Sequence, residues 1–309
     1  MTDVSHLLTP PENWQWAEFF NKNKQKIRYG WNVPNNAKAL IIIAEGRTET
    51  IEEYFETIRD FNARGYACAI MDWQGQGLSY RLTDDNSRQH SIGFDQDISD
   101  FDEFLGRLNS DLPKILFAHS MGGNITLRYM ADNSDMFKCA YLSAPMLGLN
   151  PKRIIKYAAK AILNFATRFK WLEKYAIGQT RWNERFANLA KYKVSSDPVR
   201  REVQPYLFKT RPELRCGGVT FGWLNEALKS IEQLHTPVLC ARITAPVFMA
   251  IGEKDIVVDN AGLGLTASLL PNCETRIFAK SQHQIHRERD VIRNKLMQSF
   301  YSFCEKHLS

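Results

Sequence analysis

At 309 residues with 44% hydrophobic content, the chain has room for one large α/β domain with an insertion or for two small domains, and its apolar share suits a packed core. Its six cysteines (Cys68, Cys139, Cys216, Cys240, Cys273 and Cys304) are scattered without a close pair, which fits neither a zinc site nor a disulfide framework and favours a reducing compartment. No run of about 18 uninterrupted apolar residues occurs and the first residues lack a basic region leading into an apolar stretch, so the expectation is no membrane span, no export signal and a cytoplasmic location.

Apolar runs that read as buried strands follow one another along the chain: Ala39–Ala44, Tyr66–Met71, Ile115–Ala118, Cys139–Ser143, Val247–Ile251 and Thr275–Phe278. Helical periodicity lies between and after them, at Ile51–Ala63, Phe94–Leu108, Ile125–Ala131 and Asp290–Lys306. This alternation predicts an α/β fold with a mainly parallel sheet covered by helices on both faces. It breaks between Met146 and Asn225, where 16 Lys and Arg stand against 5 Asp and Glu. The net charge of the whole chain is only +6, so the remainder is acidic on balance and the segment reads as a separate basic helical cap, residues 146–225, inserted into a core of residues 1–145 and 226–309.

Within that segment Lys152, Lys156 and Lys160 share one helical row, with Ile155, Ala159, Ile162, Ala166 and Phe169 on another. A basic amphipathic helix of this kind suits the anionic inner surface of a membrane, and equally a solvated lysine face over a packed helix. No nucleic-acid-binding motif accompanies the charge, so no nucleic acid is expected as partner.

One turn carries most of the chemistry. Ala118-His119-Ser120-Met121-Gly122-Gly123 joins the strand run ending near Phe117 to a helical pattern, the setting of a nucleophile elbow. A serine hydroxyl is a weak nucleophile near neutral pH and needs a base with a group that orients it. Asp255 follows the strand Pro246–Gly252, with Asp259 as its local rival; His283 lies in the loop before the last helix, with His286 as its rival. Ser120, Asp255, His283 is the chain order of the α/β-hydrolase arrangement. The oxyanion donors expected from such an elbow are the backbone N–H of Met121 and, from the loop Ala44–Glu49, that of Arg47. The Arg47 side chain would then be left for a substrate phosphate or a nearby acid. His119 reads as structural.

These segments resemble the serine-hydrolase branch of the α/β-hydrolase superfamily, and within it bacterial lysophospholipases and monoacylglycerol lipases. The likeness rests on Gly46-Arg-Thr-Glu-Thr-Ile-Glu-Glu-Tyr54, Asp72-Trp-Gln-Gly-Gln-Gly-Leu-Ser79, the elbow, Gly252-Glu-Lys-Asp255, His283-Gln-Ile-His286 and, in the cap, Gly217-Gly-Val-Thr-Phe-Gly-Trp223. The family pattern makes the first histidine of His283-Gln-Ile-His286 the base. Two positions depart from it: Ala118 stands where the elbow usually begins with Gly, and Glu45-Gly46 where His-Gly is common. The Asp72–Ser79 turn lacks a following Lys-Ser/Thr, so no nucleotide is expected there.

The resemblance implies a serine esterase that removes the acyl chain of lysophospholipids through Ser120, His283 and Asp255, without metal or cofactor. Monoacylglycerol lipase and small-molecule carboxylesterase use the same residues, and a noncatalytic lipid- or partner-binding relative is the alternative of another class. Ile154, Ile155, Phe165, Phe169, Trp171, Trp182 and Tyr192 are the expected walls of an acyl-chain tunnel, or else the core of the cap.

Overall fold

The computed structural model describes residues 3–150, 162–163 and 166–308, with the side chains of Phe186, Leu189 and Ala190 left out. The row of Lys152, Lys156 and Lys160 lies outside the described residues, as do Ile154, Ile155, Ala159 and Phe165 of the expected apolar faces.

Among the described residues one eight-stranded sheet runs in the order β1-β2-β4-β3-β5-β6-β7-β8. Its strands are β1 (Gln15–Phe20), β2 (Lys26–Asn32), β3 (Ala39–Ala44), β4 (Tyr66–Met71), β5 (Lys114–His119), β6 (Cys139–Ser143), β7 (Val247–Gly252) and β8 (Cys273–Phe278). From β4 to β8 every pairing is parallel. β3, β4, β6 and β7 are buried at every position, which is why they read as unbroken apolar runs.

Successive side chains alternate between two cores. Leu40 and Ile42 face one with Phe101, Ile125 and Trp223, on the side of α2 (Phe94–Arg107), α3 (Met121–Asp132) and a helix at Phe221–Leu234. Ile41 and Ile43 face the other with Phe55, Phe61 and Phe300, beneath α1 (Phe55–Asn62) and the last helix, Asp290–Leu308. The two helix layers enclose the sheet as the alternation predicts.

Two strands escaped the sequence reading. β1 and β2 form an antiparallel hairpin, and β2 pairs antiparallel with β4. β1 is an edge strand with only Phe19 buried, and β2 is only partly buried along its length, so neither shows a continuous apolar run. The predicted helix from Ile51 begins as a 3-10 turn, Ile51–Tyr54, before α1.

Within residues 146–225 the described helices include Glu184–Ala190 and Val203–Thr210. Val203, Leu207, Phe208, Leu214 and Cys216 form a small third core, and Val4 and Leu7 from the start of the chain pack into it. Ion pairs tie the segment to the rest: Arg211 to Glu52 at 2.6 Å, and Arg200 to Glu56 at 2.7 Å. No helix among the described residues is long and apolar enough to cross a membrane.

Candidate active site

β5 ends at His119 and α3 begins at Met121, so Ser120 alone makes the turn between them. It does so with φ 49° and ψ −116°, a conformation that costs an L-residue on the order of 1–3 kcal/mol and persists only where neighbours enforce it. The Ser120 N–H donates to Ser143 O at 3.2 Å, while its carbonyl accepts from Met146 N–H at 2.8 Å and Asn124 N–H at 3.2 Å. Gly122 lets helix and sheet approach: a Cβ there would stand 2.3 Å from Ala44 O.

His283 Nε2 lies 3.0 Å from Ser120 Oγ, and its Nδ1 lies 2.6 Å from Asp255 Oδ2. The other Asp255 oxygen accepts the N–H groups of Val257, at 2.7 Å, and Val258, at 3.1 Å. Burial pushes the Asp255 pKa up, but the His283 ring and these two amides outweigh it and hold the carboxyl below its ordinary range. An ionised carboxylate only accepts, so Nδ1 carries the proton toward Asp255 and Nε2 is left to accept from the serine hydroxyl. The structure therefore brings together residues from the ends of three strands, separated widely in the chain.

The rivals are occupied otherwise. Asp259 caps the helix Asn260–Leu269 by accepting from Ala261 N–H at 3.1 Å. His286 stacks on Tyr54 with centroids 5.3 Å apart, and neither ring nitrogen has a hydrogen-bond partner among the described residues. Burial above all, together with His119 and the arginines Arg287 and Arg293, pushes its pKa well below the ordinary value. His119 is fully buried with Nδ1 2.8 Å from Ser143 O and Nε2 3.6 Å from Glu49, and burial lowers its pKa to about 4.

The loop after β3 passes beside the serine. Arg47, Thr48 and Glu49 line one cavity with Ser120 and His283. The Arg47 guanidinium turns to Gly217 O, 3.4 Å away, and lies 5.5 Å from the Trp223 ring centre. Met121 opens α3, where the first N–H groups of a helix have no intrahelical partner.

Several neighbours of this site were not foreseen. Glu49 accepts from Gly46 N–H and Tyr54 Oη, each at 2.6 Å. Glu45, at the His position of the family, is fully buried; its Oε1 accepts from Gln76 Nε2 at 2.6 Å while Oε2 has no hydrogen-bond partner among the described residues. Burial, with Asp72, Glu49 and Glu53 nearby, pushes its carboxyl well above the ordinary range. Lys191, Lys193 and Arg201 line the Ser120 cavity from the basic segment. No spacing rule points from Ser120 to any of these, because their proximity comes from the packing of distant loops.

Four of the residues expected to form an acyl tunnel or a core lie among the described ones. Phe169, Trp171 and Tyr192 are exposed, and Trp182 packs on Phe208 and Arg215 within residues 146–225. None of these four lines the cavity at Ser120. Among the described residues no cluster of His, Cys, Asp or Glu could hold a metal ion.

Comparison with known proteins agrees with this architecture. The chain is 27% identical to the probable lysophospholipase L2 of Haemophilus influenzae over 97% of its own length and 95% of that protein. It is 26% identical to a monoacylglycerol lipase of Mycolicibacterium smegmatis over 84% of this chain and 85% of the other. A soluble variant of the monoglyceride lipase of Saccharomyces cerevisiae, solved with a substrate analog, shares the fold with a TM-score of 0.75 at 17% identity, over 97% of this chain and 98% of that one. The sequence model of the Hydrolase_4 family, described as serine aminopeptidase, S33, matches residues 35–290. The chain belongs to that family and is a serine hydrolase with the α/β-hydrolase fold.

Proposed function

We propose that this enzyme hydrolyses the ester of monoacyl lipids, with lysophospholipids as its leading substrates, through an acyl-enzyme on Ser120. The unbroken series of hydrogen bonds from Asp255 through His283 to Ser120 carries this reading. Ser120 Oγ attacks the ester carbonyl and His283 Nε2 takes its proton. Asp255 holds the ring and stabilises the imidazolium, while the N–H groups of Met121 and Arg47 receive the oxyanion. His283 then protonates the leaving alcohol, and a water attacking by the same route releases the fatty acid. The names of the relatives, lysophospholipase L2 and monoacylglycerol lipase, support a lipid ester as substrate.

In the same reading residues 146–225 form a cap over a core of residues 1–145 and 226–309. Lys191, Lys193, Arg201 and Gln204, all from that segment, contribute to the cavity at Ser120, which supports a cap that shapes substrate access.

The test is fatty-acid release from lysophospholipids, monoacylglycerols and short p-nitrophenyl esters, with wild type beside Ser120→Ala and His283→Ala. Each substitution is expected to lower kcat on the order of 10⁶-fold. Release that does not depend on Ser120 overturns the mechanism, and a loss below about tenfold in His283→Ala removes that residue as base. Faster release from monoacylglycerols or short esters than from lysophospholipids keeps the mechanism and changes the substrate.

A further inference from the structure

The cavity that exposes Ser120 has a strongly uneven charge on its cap side. Lys191, Lys193 and Arg201 all line it, and Glu202 is the carboxylate within ion-pairing distance of two of them. Lys191 Nζ lies 2.8 Å from one Glu202 oxygen and Arg201 Nε 3.8 Å from the other. Lys193 makes no ion pair among the described residues. Lys191 and Arg201 thus share one carboxylate, Lys193 has none within ion-pairing distance, and Arg201 Nε has no hydrogen-bond acceptor among the described residues.

The remaining charges of the wall do not correct the imbalance. Arg287 is paired with Glu53. Glu49 is the one carboxylate among the described lining residues, its oxygens accepting from Gly46, Tyr54 and Gln284, so the lining keeps an excess of cations. Arg201 also lies over the Tyr192 ring at 4.4 Å, which leaves its planar edge as the face for an acceptor.

We infer that Lys191, Lys193 and Arg201 form a subsite for the phosphate of the substrate headgroup, so that the enzyme prefers phosphate-bearing monoacyl esters to neutral glycerides. The inference rests on the ester-hydrolase reading above and names what selects the substrate at that site. A phosphate offers several acceptor oxygens in different directions, matching two ammonium groups and one guanidinium edge. The cavity, about 160 Å³, is smaller than the roughly 300–1,000 Å³ of a typical ligand pocket. Its size suits the headgroup end of a lipid, with the ester at Ser120, rather than the acyl chain.

The experiment uses two esters with the same short chain, 1-hexanoylglycerol 3-phosphate and 1-hexanoylglycerol, both monomeric in solution so that the charge of a lipid surface does not enter. The ratio of their kcat/KM values is measured for wild type, Lys193→Gln and Arg201→Gln. Wild type is expected to favour the phosphate ester by about tenfold or more, and each substitution to reduce that ratio by about fivefold or more, mainly through KM. Glycerol 3-phosphate should compete with the substrate, and less well in both variants. A wild-type ratio near one, or a ratio that neither substitution moves, overturns the subsite while Ser120-dependent cleavage of both esters leaves the hydrolase reading standing. If Ser120→Ala matches wild type on every ester, the hydrolase reading itself falls and the subsite with it.

Discussion

Gln284 donates through Nε2 to Glu49 Oε1 at 2.6 Å, across 235 positions of sequence. That bond joins the loop after β3, which carries Arg47, to the loop that carries His283. The other Glu49 oxygen holds Gly46 N–H and the Tyr54 hydroxyl. Burial alone would raise the Glu49 pKa, but His119, Tyr54 and Arg287 outweigh it, and the carboxyl stays below its ordinary range. One ionised side chain therefore sets the spacing between the expected oxyanion loop and the expected base.

Glu49→Gln places an amide N–H₂ where donors now point. It is expected to cost about 2–3 kcal/mol of stability, the scale of a lost hydrogen bond to a charged group. Turnover should fall on the order of 10²-fold as the two loops lose their register. Urea unfolding and ester hydrolysis by the purified variant check both; wild-type turnover would remove Glu49 from any positioning role.

His286→Phe is expected to leave turnover within about threefold of wild type, because a difference below roughly 0.7 kcal/mol in the barrier is all that threefold represents. Phenylalanine keeps the ring stacked on Tyr54 and removes two buried nitrogens that have no hydrogen-bond partner among the described residues. Stability should hold or rise by about 1 kcal/mol. A loss of a thousandfold in kcat would instead bring His286 into the chemistry.

Acid should destabilise the fold through His119. Its pKa is lowered to about 4 by burial, whereas an unfolded histidine titrates near 6.5. Below about 6.5 the unfolded chain takes up a proton that the folded chain refuses, so stability falls as pH drops from there through about 4, by up to about 3 kcal/mol. Glu53 acts in the opposite sense: burial, opposed by Arg287, raises it to about 7, and its contribution is lost as pH rises from about 4.5 to 7. The comparison that isolates His119 is the change in unfolding free energy between pH 7 and pH 4.5 for wild type and His119→Asn. The variant should lose about 2 kcal/mol less than wild type; parallel pH dependence in the two proteins would contradict the assignment.

Gly122→Ala tests the elbow's packing. The added Cβ meets Ala44 O at 2.3 Å and Glu45 O at 2.6 Å, both backbone atoms at the end of a central strand. Neither can turn aside as a side chain would, so the expected cost is about 3 kcal/mol or more. Thermal unfolding followed by circular dichroism measures it. A midpoint within about 2 °C of wild type would show that helix and strand separate easily.

By itself the sequence determined the buried parallel strands and the elbow, whereas the run Thr275–Phe278, which reads as a buried strand, is exposed in β8 at every position but Phe278. β3, β4, β6 and β7 are buried on both faces, so their apolar runs are continuous and local. The serine between β5 and α3 is marked by small neighbours whose need is steric and equally local. The tertiary structure decided the rest. The β1–β2 hairpin exists because β2 finds the free edge of β4, a pairing that its own half-buried pattern does not announce. Asp255 and Asp259 follow the same strand and look alike in sequence; one faces His283 and the other caps a helix. The contact between Glu49 and Gln284 and the convergence of Lys191, Lys193 and Arg201 beside Ser120 depend on loops and a basic segment that meet only after the chain has packed. Propensity and periodicity act over a few residues, whereas the charge and shape of a site are sums over residues brought from across the fold.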